Sequence, residues 1–254
     1  MAIQGRDPGA GRPLRGVRPI PGALAQPAPP PPRPPVRPQK RGTPGLPLLP
    51  LIAAPAALTL AVTLLRLVGE LREWAPEYFS RLPGGGLSPL GITWLVPLVG
   101  FCFGWRLERA SVRPPSVARA AGWPLLALAG GCVLATLAGR VLKTGWNGNL
   151  TVWAVAAVAV SAVAFAAWPG LGRPLLAYAL AARVPVALVV ALAVARKWGT
   201  HYDALPPGFP SMSGLKRWLL IGLVPQMTIW VAWTMAVGAV FGALGWLAAS
   251  RRPR

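Results

Sequence analysis

Long apolar runs, nearly free of charge, recur along this chain and are separated by short basic segments. A run of about 18 residues or more spans the roughly 30 Å hydrocarbon core of a bilayer at the rise of a helix. The expectation is therefore an all-α fold: a polytopic membrane helix bundle of six transmembrane helices, with a disordered proline-rich N-terminal tail.

The spans fall near residues 46–68, 87–107, 123–142, 150–168, 174–195 and 218–249, so the bundle occupies 47–249. The last run is too long for one straight crossing and too short for two. It fits a single tilted helix kinked at Pro225, whose missing amide breaks the backbone ladder. Residues 1–46 contain no apolar stretch able to form a core, and the run from Pro27 to Pro38 favours polyproline II. Residues 250–254 form a basic end. The Gly84–Gly86 stretch reads as a flexible link into the second span.

Charge placement bears on orientation and on partners. The formal net charge is +20 with 13% charged residues, a balance that in a soluble protein would suggest nucleic acid. Here the Lys and Arg residues flank apolar runs, so they read as topogenic charge, and no nucleic-acid partner is expected. Their bias places the N-terminus in the cytoplasm, although it depends on the two chain ends and reverses without them. Composition rich in Ala, Gly, Pro and Arg points to a bacterial host, hence an inner-membrane location. Besides the lipid bilayer, the basic tail offers a surface for anionic lipid or for a protein partner.

Few residues could carry chemistry. Arg183 lies about nine residues into the fifth span, roughly 14 Å from either surface, where a charge is costly. With no acidic residue inside any span, its partners are carbonyls freed by proline, the Gln226 amide, Tyr178 or a bound anion. Arg183 and Gln226 are thus the candidate ligand or transport residues; the competing reading is a structural arginine, or one that snorkels to the surface. Glu70, Glu73 and Glu77 recur at helical spacing past the first span. On a continuing helix they would form an acidic vestibule or simply a solvated face, with Arg66 one turn before Glu70.

His201, the single histidine, stands beside Tyr202 and Asp203 in the longest internal loop and reads as solvated, since one His and one Asp make no metal site. No cofactor is implied. Ser211, Met212, Ser213 and Gly214 are similar to the Gly-x-Ser-Gly nucleophile motif of rhomboid intramembrane proteases. The first glycine is replaced by Ser211, however, and no histidine follows to act as base, so no role is carried over. Cys102 and Cys132 sit at different depths and read as packing residues. The sequence thus leaves a non-enzymatic binding, transport-associated or scaffold component as the leading class. A small anion or solute transporter using Arg183 and a membrane-embedded enzyme are the alternatives. Gly130 and Gly131, or Gly238 with Gly242 at small-xxx-small spacing, would permit a close helix contact within or between chains.

Overall fold

A computed structural model of the protein describes residues 47–83, 91–143, 145–212 and 214–251. The proline-rich tail, the Gly84–Gly86 link, Ser213 and residues 252–254 lie outside these. The described residues are helical without strands. In chain order the helices are α1 (Leu48–Leu71), α2 (Leu95–Arg109), α3 (Val117–Val141), α4 (Trp146–Ala167), α5 (Pro169–Arg196) and a final rod, α6 (Gly214–Ser250). All but α2 are long and apolar enough to cross a membrane. Exposed Leu126, Leu134, Val155 and Leu188 cover the outer faces with hydrocarbon, a surface suited to lipid and not to water. The chain is a multi-pass helical membrane protein.

Local chemistry explains where the helices depart from the expected spans. α2 has 15 residues, about 22 Å of helix, and begins at Leu95 because residues 91–94 form turns. That start puts Pro97 in the first turn, where its missing amide has no helical partner to lose. α3 starts early because the Ser116 side chain accepts a hydrogen bond from the Arg119 amide at 3.1 Å. Pro169 occupies the first turn of α5, which follows α4 across Trp168.

α5 and α6 form the centre, with half of their most apolar windows buried against 17–22% in α1, α3 and α4. Within α6 the backbone is not uniform. Residues Trp218–Leu223 wind as a π-helix, Val224–Met227 return to α, Thr228 is distorted (φ −117°, ψ −73°), and Ile229–Ser250 run as regular helix. Pro225 removes one amide and crowds the carbonyl one turn earlier, and the wider π turn ahead of it relieves that crowding. The last run is thus a single rod with a local defect at Pro225.

The regular part of α6 packs against α2 through glycines. A Cβ on Gly100 would lie 2.7 Å from Gly238 Cα, and one on Gly104 would lie 2.9 Å from Gly242 Cα, with the carbonyl oxygens closer still. On the far side, Leu175 and Leu171 of α5 close over Gly238 and Gly242. The small-xxx-small contact is therefore made inside the chain. Cys102 and Cys132 do not pack as expected: both are free and exposed on the bundle surface, because the glycines take the close contacts.

Candidate functional site

The end of α1 is the first part of the site to depart from expectation. Glu73 adopts a left-handed conformation (φ 54°); its amide bonds the Glu70 carbonyl and the Trp74 amide bonds the Gly69 carbonyl at 2.9 Å. This is a Schellman stop, made here with glutamate where glycine is usual. The helix ends at Leu71, so Glu70, Glu73 and Glu77 do not share a face and form no vestibule. Glu73 and Glu77 are exposed outside the helix, the former paired with Arg81 at 3.1 Å. Glu70 turns inward and is fully buried.

Glu70 joins three segments of the chain. It accepts from Arg66 Nε at 2.9 Å, one helical turn back, as the spacing predicts. It also accepts from the His201 amide at 2.9 Å and contacts His201 Nδ1, while its own carbonyl takes Arg81 Nε at 3.0 Å. A buried carboxylate needs such a full set of donors. His201 is consequently not solvated but folded over the end of α1. Its stacking neighbour Tyr202 donates to the Thr63 carbonyl at 3.2 Å.

The loop is built to hold that position. α5 ends with Lys197 in a left-handed conformation. The Asp203 carboxylate then accepts from the Gly199 and Thr200 amides (3.0 and 2.7 Å) and the Thr200 hydroxyl (2.9 Å), and Arg217 contacts the Asp203 carbonyl. Burial is the main influence on both rings. It pushes the His201 imidazole below its ordinary value, against the opposing pull of Glu70, and pushes the Tyr202 phenol up. Near neutral pH the imidazole is then uncharged, with Nδ1–H donating to Glu70.

Below this loop lies a cavity of about 620 Å³. Its polar lining includes Thr63, Arg66, Thr93, His201, Tyr202, Gln226 and, at mid-depth on α5, Arg183. The structure thus brings Arg183 and Gln226 together, with Arg183 Nη1 3.5 Å from Gln226 Oε1. The guanidinium also stacks over Trp230 at 5.0 Å. It is 3% exposed, its Nε has no hydrogen-bond partner, and among the described residues it pairs with no carboxylate. Gln226 and Trp230 face Arg183 because they are one turn apart on α6. That segment is held to α5 by Trp218 Nε1 donating to the Ala187 carbonyl at 2.9 Å.

The charges in the cavity do not balance. Arg66 is matched by Glu70, the Arg217 guanidinium lies against Asp203, and His201 is neutral, so among the described residues Arg183 is the cavity-lining charge left without a counter-charge, an excess of one. Sequence reasoning found Arg183, Gln226 and the Arg66–Glu70 pair. It missed His201, Tyr202 and Thr63, for which no local signal exists, and Trp230, for which the spacing to Gln226 was a signal. Comparison with protein-family models, with curated proteins and with solved structures gives no significant match, so the reading of this site rests on its own geometry.

Proposed function

We propose that the chain is an anion-binding, transport-associated protein of a bacterial inner membrane, with Arg183 as the residue that holds the anion. The observation that carries this reading is a buried guanidinium lining a cavity with, among the described residues, one long hydrogen bond, an unpartnered Nε and no carboxylate partner. A buried charge is tolerated when it is paired and hydrogen-bonded, and ionisable residues within membrane helices are rare and mark substrate and ion pathways. A bound anion would complete the set. The π segment and Pro225 support the same reading, since π turns concentrate where helices serve ligands and interrupted helices form binding sites in transporters.

With the N-terminus in the cytoplasm, as the Lys/Arg bias favours, the cavity and its loop face the opposite side. The proline-rich tail is then available to anionic lipid or a cytoplasmic partner. The test is the thermal unfolding of the full-length protein in non-ionic detergent with monovalent and divalent anions, for wild type and Arg183→Gln. A saturable rise in Tm in the wild type that Arg183→Gln abolishes is the expected result. Equal responses in the two proteins would remove Arg183 from any ligand site.

A further inference from the structure

We infer that the anion is amphipathic: one negatively charged head, a carboxylate or a phosphodiester, carried on an apolar body. This rests on the anion-binding reading above and narrows it. Two observations carry it. First, the excess charge in the cavity is a single one, so a monoanion neutralises it where a dianion would leave a buried negative charge. The flat guanidinium presents its donors as a fork that matches two oxygens of one head.

Second, the space next to Arg183 is mostly apolar. Val186 and Val190 continue the Arg183 face of α5 toward the loop for about 10 Å, and Ile221, Ile229 and Trp230 face them from α6, all lining the cavity. An inorganic ion has no use for such a wall, because its remaining hydration would be stripped against hydrocarbon. A hydrocarbon or aryl body would fill it and gain from burial. The volume of about 620 Å³ lies within the range of pockets that enclose small organic molecules.

The experiment uses the intact protein in non-ionic detergent with acetate, hexanoate and octanoate, octanamide as a neutral isostere, and chloride and sulfate. The variants are Arg183→Gln and Ala204→Trp, which narrows the cavity from the loop and leaves the helices untouched if the arginine variant folds poorly. The expected result is affinity that tightens roughly three- to fourfold per added methylene, disappears in Arg183→Gln, weakens in Ala204→Trp and is absent with octanamide.

Chloride, sulfate and acetate matching octanoate, all dependent on Arg183, would overturn the amphipathic ligand and leave the anion site standing. Octanamide matching octanoate without dependence on Arg183 would overturn both, as would no response to any compound. A parallel measurement in nanodiscs of phosphatidylcholine with and without phosphatidylglycerol identifies the source. If phosphatidylglycerol stabilises through Arg183 and suppresses the octanoate response, the head belongs to a lipid; an undiminished octanoate response makes it a soluble acid.

Discussion

Along α6, the residues Ile229–Ser250 form regular helix against α2, whereas Gly214–Met227 wind through a π turn beside a cavity. The regular half brings two backbones together by removing side chains at Gly100, Gly104, Gly238 and Gly242. The irregular half keeps backbones apart and fills the gap with Arg183, Gln226 and the loop above them. Without a hydrophobic drive between helices in lipid, close packing is the main source of association. One rod therefore combines a seam that fixes the bundle with a segment whose imperfect packing leaves room for a ligand.

The sharpest break of the seam is Gly104→Leu. A side chain there would run into the Gly242 backbone, which cannot move aside, and no monodisperse folded protein is expected by size-exclusion chromatography. Gly130→Ala on α3, where a Cβ would meet nothing within 4 Å, is the control and folds normally. On the cavity side, Glu70→Leu strands buried Arg66 and is expected to cost about 3–5 kcal/mol. Thermal or denaturant unfolding of Glu70→Leu, Arg66→Leu and the double variant measures the pair, and the double variant is expected to recover part of the loss.

Arg183→Met tests the opposite sign. Because the guanidinium is incompletely satisfied, replacing it with an apolar side chain of similar length is expected to raise ligand-free stability by about 1–3 kcal/mol. A loss of that size would mean that Arg183 acts as a structural member of the core. A smaller effect comes from pH. The His201 pKa is lower in the folded protein than in the unfolded chain, where it is about 6.5, because burial and Arg66 outweigh Glu70 and Asp203. The unfolded state therefore takes up the proton first as pH falls. The stability contribution is complete above about pH 6.5 and is lost progressively as pH drops from there through the lower folded-state value; His201→Gln is expected to flatten this slope in unfolding curves taken from about pH 7.5 downward. The smallest effect expected is that of Cys132→Ala, within about 0.5 kcal/mol, since the thiol faces outward.

Much of the regular half was legible in the sequence. Apolar runs of spanning length appear where the helices other than α2 are, Gly238 and Gly242 stand at contact spacing, and Pro225 marks the defect in the last rod. The acidic vestibule was misread because helical spacing was extended past Leu71, and a left-handed Glu73 carries no reliable signature. His201 was read as solvated because its partner lies 131 residues earlier, a distance over which local pattern says nothing.

By itself the sequence determined that this is a helical membrane protein, and where most of its helices run. The cause is the bilayer, which imposes a length and a hydrogen-bonding rule on each segment separately. Only the tertiary structure decided that Glu70 turns inward to His201, that Arg183, Gln226 and Trp230 share one cavity, and that the glycine contact lies within the chain. Those outcomes depend on which faces of separate helices meet, and lipid-compatible side chains on every face leave that choice to packing.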